Sequence, residues 1–415
     1  MLSQWLSTTD SAIFRKNTLP LELSDQIIDF VAGLKVKKLR AHLATCSLVC
    51  RAWTSRSRYH FFQNCRLLVH LNNTLLFGQL LRSPLCTILL HLETLTLRNN
   101  GESSFHRIQD DLKLLTNLKS LRLCGWNWNA HGSPPPREFL STFTNVVDLE
   151  IDCKELGDFD HMVQTFCAIP STTRLAIRTV RKPKMFCGYR CTPPRPFVPR
   201  DPLLATPPQL LSLLLDTPAI IPIVHWLNGA GSHCITTLEI SLPLLGAEDL
   251  PPLQQFIRGL NASLEHFTLD AYHKDSELSQ GDFERTFEFS TFQRLRTCRF
   301  NKLFPALSMY SQTRPLDSAI PSIVRSIASP LQTLTFEIEG LPCRPWDTLD
   351  SFLSQQPGLK SVIFEFTVNN KRNGCDLLAA RDIEKAFPRI GSMGILDIRL
   401  DRKHDKSSVR AGKIW

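Results

Sequence analysis

The chain has 415 residues, of which 43% are hydrophobic and 21% are charged, and its formal net charge at pH 7 is +9. These proportions are ordinary for a globular protein. No apolar run reaches the length of about 18 residues that a membrane-spanning helix needs, so we expect no membrane partner.

The positive charge and the cysteines bear on partners and compartment. Much of the lysine and arginine excess lies in residues 181–200 and 399–413, so a loop and a tail account for it, and nucleic-acid binding is not favoured. The thirteen cysteines are odd in number and lack framework spacing, which is typical of reduced thiols inside cells. Residues 1–5 lack the features of a secretory signal. We therefore expect a cytoplasmic or nuclear protein whose residues 1–17 form a flexible N-terminus.

Three short helices are predicted within residues 18–60. Pro20 suits the first turn of a helix, where a missing N–H costs nothing. The apolar positions are Leu23, Ile27, Ile28, Phe30 and Val31 in the first helix, Val36, Leu39 and Leu43 in the second, and Val49, Ala52 and Trp53 in the third. A unit of roughly forty residues buries little core, and this one has large apolar residues in excess. It is therefore either a docking module or an ordinary helical cap on a larger domain.

The same segment resembles the F-box, particularly that of fungal F-box proteins. The family pattern is Leu-Pro-x-Glu-Ile/Leu, then an apolar pair, then Val-Cys-Arg-x-Trp. The matching positions are Leu19, Pro20, Glu22, Leu23, Ile27, Ile28, Val49, Cys50, Arg51 and Trp53. The connection over residues 32–44 departs from the family, because it is longer and more basic than usual. The resemblance implies that an adaptor protein contacts Leu19, Pro20, Glu22, Leu23, Ile27, Ile28, Leu48, Val49 and Trp53.

A function follows from this resemblance. It implies a substrate-receptor subunit of a Skp–cullin–F-box ubiquitin ligase, which docks on the Skp-type adaptor and, through it, on the cullin. The downstream repeats would hold the target protein, so the chain itself would supply no catalysis and need no cofactor. The alternative is a stand-alone leucine-rich-repeat scaffold for protein interactions, without a ligase role.

Downstream, the pattern apolar-x-x-apolar-x-apolar recurs eleven times. It begins at Leu92, Leu118, Val146, Thr172, Leu210, Ile235, Leu264, Leu295, Leu331, Leu359 and Met393. These positions lie 25 to 38 residues apart, and leucine-rich repeats of about 20–29 residues each contain a strand and a helix or turn. We therefore predict an α/β fold over residues 61–402, a right-handed irregular solenoid with parallel strands inside and helices outside. A flat parallel sheet is the alternative, although no nucleotide fingerprint accompanies it.

Further elements are predicted between these strands. Helical spacing favours helices over residues 74–81, 110–118, 158–169 and 346–353, and a strand over residues 67–71 precedes the first regular repeat. Eight prolines predict an exposed loop over residues 182–209, and the basic tail 403–415 is expected to be disordered.

Motifs for catalysis or metal binding are missing from the sequence. It contains no G-x-G-x-x-G, P-loop, G-x-S-x-G or H-E-x-x-H motif. Cys187 and Cys191 lie close together in the proline-rich loop, but a zinc site would need two further ligands. We therefore predict no metal site and no enzymatic activity.

Acidic residues concentrate on one side of the predicted sheet in the C-terminal half. Positions that project from the concave side of such a solenoid carry one base in this region, Arg299, and six acids: Asp216, Glu239, Asp270, Glu337, Glu365 and Asp397. The simpler interpretation is solubility, because strand residues that face water must be polar. The more specific hypothesis is a groove that selects a basic segment of the target protein by electrostatic complementarity.

Overall fold

A computed structural model describes most of the chain between residues 19 and 402. The described residues are 19–34, 39–63, 67–69, 71–84, 86, 88–98, 108–127, 137–155, 159–179, 207–217, 220–229, 234–242, 247–270, 279–303, 315–338, 347–368 and 375–402. The predicted flexible N-terminus, most of the proline-rich loop with Cys187 and Cys191, and the predicted tail lie outside them.

The chain divides into two compact units. Of the described residues, those from 19 to 98 and from 108 to 121 belong to the first unit, and those from 122 to 402 belong to the second. This division differs from the sequence prediction, which separated the helices from the repeats at residue 60. The rings of Tyr59 and His91 explain part of the difference, because they meet edge to face with centroids 5.2 Å apart and join the third helix to the first repeat.

The first unit begins with three helices and continues with two strand–helix pairs. Its elements are α1 (Leu21–Gly33), α2 (Leu39–Cys46), α3 (Arg51–Gln63), β1 (Leu67–Val69), α4 (Leu71–Arg82), β2 (Thr94–Arg98) and α5 (Gln109–Leu112). Helices α1 and α2 both pack on α3, and the buried side chains of Ile28 and Leu43 form the centre of this small bundle. Strands β1 and β2 pair in parallel, with Leu67 opposite Leu95.

Two details of the first unit differ from the sequence prediction. Pro20 is the N-cap residue of α1 rather than part of its first turn, and its backbone is extended (φ −50°, ψ 143°). Val49 was assigned to the third helix but lies in the turn before α3, which begins at Arg51. Because Val49 lies outside a helix, it does not contribute to the apolar stripe that was predicted for α3.

The second unit repeats strands and short helices in chain order. Its strands are β3 (Ser120–Asn127, of which Ser120 and Leu121 belong to the first unit), β4 (Asp148–Glu155), β5 (Arg174–Thr179), β6 (Ser212–Asp216), β7 (Thr237–Ser241), β8 (His266–Asp270), β9 (Thr297–Leu303), β10 (Thr333–Ile338), β11 (Ser361–Val368) and β12 (Leu396–Arg402). Its helices are α6 (Arg137–Leu140), α7 (Phe159–Cys167), α8 (Ile220–Gly229), α9 (Leu250–Gly259), α10 (Gln280–Thr286), α11 (Pro315–Arg325), α12 (Asp347–Ser354), α13 (Cys375–Ala386) and α14 (Pro388–Ser392). From β4 to β12 each strand pairs in parallel with the next, which gives a solenoid-like α/β arrangement.

The repeated apolar triplets place the strands where the sequence predicted them. Each of the eleven triplets ends in a strand of the structure, and its second and third residues are buried in every strand from β2 to β11. Even the weak members Thr172 and Cys298 are buried, each with 1% of its surface exposed. The exception is the last triplet, where Met393 is 51% exposed, because β12 is the final strand of the described array and has a partner on one side only.

The predicted helices are present, although one is shorter than expected. Helices α4, α7 and α12 match predictions to within a few residues, and β1 matches the early strand. The helix predicted over residues 110–118 contains only α5 and then continues as turns. Leu115 donates its N–H to Leu112 O at 3.1 Å, and Leu118 donates to Leu115 O at 3.3 Å. Leu112, Leu115 and Leu118 are nevertheless all buried. The apolar spacing therefore identifies the buried residues correctly, but the prediction that they lie in one continuous helix is wrong.

A file of phenylalanine rings joins the C-terminal repeats. Phe300, Phe336 and Phe364 occupy the third triplet position of β9, β10 and β11, and adjacent rings stack with centroids 5.8 and 5.1 Å apart. Phe387 continues the file, 5.1 Å from Phe364, and connects the strands to the helical layer. Each ring contacts the next repeat, so the file couples the repeats that form the C-terminal half of the sheet.

We predict that Phe336→Ala lowers the free energy of unfolding by about 3–5 kcal/mol, because it leaves a cavity between two stacked rings. Urea denaturation followed by circular dichroism measures the change. Leu211→Ala is the matched control, since Leu211 is 46% exposed and its truncation leaves no internal cavity. Equal stability of the two variants would contradict the role of the ring file.

Candidate functional site

The three-helix bundle of the first unit leaves many of its apolar side chains at the surface. Six of the nine residues implied as adaptor contacts are exposed apolar side chains: Leu19, Pro20, Leu23, Ile27, Leu48 and Val49. Leu48 is 85% exposed and Val49 is 59% exposed, and both lie in the turn between α2 and α3. Glu22 is also exposed, and Trp53 is half-buried.

Ile28 requires a correction. It was assigned to the adaptor contacts together with Ile27, but its side chain is fully buried at the centre of the bundle. The two residues are adjacent in sequence and therefore point about 100° apart around the helix. Ile27 lies on the outer side of α1 and Ile28 on the side that packs within the bundle.

The adaptor contacts implied by the resemblance leave out part of this surface. Phe30 is 70% exposed, and Leu21 and Leu34 are exposed as well. Leu23, Ile27 and Phe30 follow the spacing i, i+4 and i+7, so α1 carries an apolar stripe on its outer side, and Leu34 is the C-cap residue that follows the helix. The periodicity was visible in the sequence, but which of the two apolar sides of α1 is buried depends on how the helices pack. We call the exposed apolar side chains of α1, of the residues next to its two ends and of the α2–α3 turn the exposed apolar surface. It comprises Leu19, Leu21, Leu23, Ile27, Phe30, Leu34, Leu48 and Val49.

Polar contacts hold α1 against α3 and so fix this surface. The guanidinium of Arg56 donates two hydrogen bonds to the Asp29 carboxylate, with both N–O distances 2.7 Å, and His60 Nε2 lies 2.7 Å from the same carboxylate. The hydrogen bonds from Arg56, followed by that from His60, lower the pKa of Asp29 from 3.8 to about 2. Because a bidentate arginine–carboxylate pair restricts orientation as well as distance, it sets the angle at which α1 presents its stripe.

We predict that Asp29→Asn destabilises the first unit by about 1 kcal/mol, a modest value because solvent screens the half-exposed pair. The pKa of Asp29 is depressed in the folded state, so its contribution is present above about pH 4 and is lost as the pH falls through about 2. Thermal unfolding at pH 7 and pH 2.5 measures this. The variant should be less stable at pH 7 and approach the native protein at pH 2.5, whereas an equal deficit at both values would contradict the ion pair.

The second unit carries a charged face on its sheet. It comprises the side chains that alternate with the buried triplet residues, in two rows that run across the strands. The first row is Glu150, Ala176, Leu214, Glu239, Thr268, Arg299, Thr335, Ile363 and Asp397. The second row is Asp152, Arg178, Asp216, Ser241, Asp270, Asn301, Glu337, Glu365 and Arg399. All six acids predicted to lie together therefore share this face.

Arginines pair with acids at both ends of the charged face. On β3 to β5, Arg122 pairs with Asp152, and Arg178 Nη1 lies 3.4 Å from Glu150 Oε1. On β9 to β12, Arg299 Nη2 lies 2.8 Å from Glu365 Oε2 and 3.4 Å from Glu337 Oε2. Arg299 therefore reaches across two neighbouring strands.

This pairing changes the predicted acidic groove. Arg399 Nη2 also lies 2.7 Å from Asp397 Oδ2, although Arg399 was not counted among the bases that face these acids. Glu337, Glu365 and Asp397 are thus bound to the chain's own arginines and do not form an uncompensated acidic surface. The other three acids, Asp216, Glu239 and Asp270, lie at the centre of the face, on β6 to β8.

Glu239 has the most unusual electrostatic environment of these three acids. Partial burial raises the pKa of its carboxyl group, and the nearby charges of Asp270 and Asp216 raise it further, while Arg178 and Arg299 oppose the effect. Both arginines direct their guanidinium groups to other carboxylates. Folding therefore places Glu239 where its negative charge is disfavoured.

We predict that Glu239→Gln raises the melting temperature at pH 7, because glutamine keeps the shape and removes the disfavoured charge. A raised pKa in the folded state means that the stability associated with Glu239 is full below its ordinary pKa of 4.5 and is lost as the pH rises. The difference between variant and native protein should therefore vanish near pH 4. Calorimetry at pH 4 and pH 7 checks this, and a lower melting temperature of the variant at pH 7 would contradict it.

Other chemical functions find little support in the described part of the chain. It contains no group of three or more histidine, cysteine or acidic side chains arranged to hold a metal ion. Cys124 lies beside Asp152 on the charged face, but burial raises the pKa of its thiol to about 12, so it stays protonated at neutral pH. No helix among the described residues has the length and apolar character needed to cross a membrane.

Comparisons with known proteins name no family for the chain. No protein-family model matches it, and no curated protein matches its sequence significantly.

Proposed function

We propose that this chain is an F-box protein that serves as a substrate receptor of a Skp–cullin–F-box ubiquitin ligase. Its first unit would dock on a Skp-type adaptor, and the repeats of its second unit would bind the target protein. The chain would act by bringing the target close to a ubiquitin-charged enzyme carried elsewhere in the complex.

The observation that carries this proposal is the exposure of the motif residues. A bundle this small needs its large apolar side chains for its own core, yet Leu48 and Val49 stand in a turn at the surface. Leu23 and Ile27 lie on the outer stripe of α1 while Ile28 fills the core. Apolar side chains that a bundle leaves unburied are typical of a surface completed by a partner.

The second unit supports target binding in a more general way. A repeated parallel sheet presents many side chains in fixed rows, and the charged face offers a long surface with acidic, basic and apolar positions. A stand-alone scaffold without a ligase role would use the same face. The two functions differ only in whether the exposed apolar surface binds the adaptor.

We predict that Leu48→Ala/Val49→Ala weakens binding of a recombinant Skp-type adaptor by more than about thirtyfold, equivalent to roughly 2 kcal/mol. Leu19→Ala/Pro20→Ala should weaken it similarly. Both pairs lie at the surface, so neither change should lower the melting temperature substantially. Isothermal titration calorimetry with purified proteins measures the affinity.

The matched control is Leu75→Ala/Leu76→Ala, which truncates two leucines of α4 that are 55% and 67% exposed in the same unit. This variant should bind the adaptor like the native chain. Failure of the native chain to bind any Skp-type adaptor would favour the stand-alone scaffold, and equal loss in the variants and the control would contradict an interface centred on the motif.

A further inference from the structure

The centre of the charged face differs from its two ends in composition. The outward positions of β6, β7 and β8 carry three acids and one histidine, and none carries a lysine or arginine. These positions are Ser212, Leu214, Asp216, Thr237, Glu239, Ser241, His266, Thr268 and Asp270. The arginines that flank this stretch, Arg178 and Arg299, form their ion pairs with Glu150, Glu337 and Glu365.

Apolar surface adjoins the acids in this stretch. Leu214 lies opposite Glu239 in the strand register, and Ala176 lies opposite Leu214 on the other side. Both side chains are half-buried although they face away from the apolar core of the sheet. On the neighbouring strand β8, the half-buried Thr268 lies opposite Glu239 in the register and adds a hydroxyl group. A ligand over Glu239 would therefore contact a carboxylate, a hydroxyl and an apolar patch together.

The Glu239 carboxylate forms no ion pair within 4.0 Å among the described residues, and burial and neighbouring acids work against its charge. A disfavoured charge on a surface is a candidate functional group, because its cost is recovered when a partner of opposite charge binds. Phosphate-containing ligands are disfavoured here, because their negative charge would be repelled by the three acids on adjacent strands. A metal ion is also disfavoured, since the described side chains form no metal-binding group.

We propose that the centre of the charged face, defined by Ala176, Leu214, Asp216, Glu239 and Thr268, binds an extended segment of a target protein in which a basic and an apolar side chain project from the same side. The inference rests on the proposed function, in which this face receives the target. The basic group pairs with Glu239. The apolar neighbour covers Leu214 and Ala176, as does the aliphatic stem of a lysine or arginine.

The arginine-paired ends of the face give this contact a defined position. Because Arg122, Arg178, Arg299 and Arg399 pair with the acids around them, a basic segment gains attraction mainly at β6 to β8. A segment displaced toward either end meets acids that are already paired with arginines and therefore gains less attraction. Charge complementarity therefore selects the position of the bound segment along the face as well as the sign of its charge.

Fluorescence anisotropy with labelled decapeptides tests the proposal, using the full chain both alone and mixed with the adaptor. In an extended peptide residues i and i+2 project from the same side, so the probes repeat Lys-Ser-Leu-Ser (the lysine–leucine peptide), Lys-Ser-Ser-Ser, and Glu-Ser-Leu-Ser (the glutamate–leucine peptide). The lysine–leucine peptide should bind at least fivefold more tightly than the other two, and added salt should weaken it. Glu239→Gln should reduce its affinity about tenfold, and Asp397→Asn, which changes an arginine-paired acid on the same face, should leave it unchanged.

No detectable binding of the lysine–leucine peptide at about 1 mM would overturn the proposal, as would equal affinity for the glutamate–leucine peptide or an unaltered affinity of Glu239→Gln. Adaptor binding is measured in the same samples to separate this inference from the proposed function. Native adaptor affinity without peptide binding contradicts only the inference, whereas loss of adaptor binding by the native chain contradicts the proposed function.

Discussion

Burial of the apolar triplets between neighbouring strands is the interaction on which the second unit depends. One strand with three apolar residues cannot exclude water from them, but a strand on each side and a layer of helices can. The second and third triplet residues of β4 to β11 reach near-complete burial in this way. The same alternation directs every intervening side chain to the opposite face. The rows of the charged face are thus a direct consequence of how the core is built.

The three-helix bundle differs from the repeats, because much of its apolar surface is not buried in its own core. Its core is small, with Ile28 and Leu43 at the centre, and a bidentate arginine–carboxylate pair adds orientation between α1 and α3. Large apolar residues that could have enlarged this core lie on the outer side of α1 and in the α2–α3 turn. Their exposure costs solubility without adding to the stability of the bundle, which is understandable if a partner covers them. At the two ends of the charged face, by contrast, the carboxylates form ion pairs with arginines of the same chain and do not require a partner protein.

Much of the fold could be predicted from the sequence because the signal was repeated and local. Eleven triplets with similar spacing define strands even where Thr172 or Cys298 weakens one of them, since each strand needs only the next to be buried. The backbone shape between strands was less predictable. Leu112, Leu115 and Leu118 have helical spacing, but turns bury them equally well in a short connection.

Side-chain partners across strands could not be predicted from spacing alone. The six acids were correctly placed on one face, but Arg299 extends across two strands and Arg399 pairs with Asp397, which changes the charge of the C-terminal end. The assignment of Ile28 failed for a related reason, because the side of α1 that faces α3 is decided by packing. Periodicity identifies the faces of an element, and only the tertiary structure decides which face is covered.

The central claim is that the exposed apolar surface of the first unit is completed by an adaptor. Hydrogen–deuterium exchange of the full chain, alone and with an equimolar Skp-type adaptor, tests it most directly. The account predicts slower exchange over α1 and over residues 47–53, with no change over β6 to β8. Unchanged exchange in α1 and in the α2–α3 turn under saturating adaptor would contradict it.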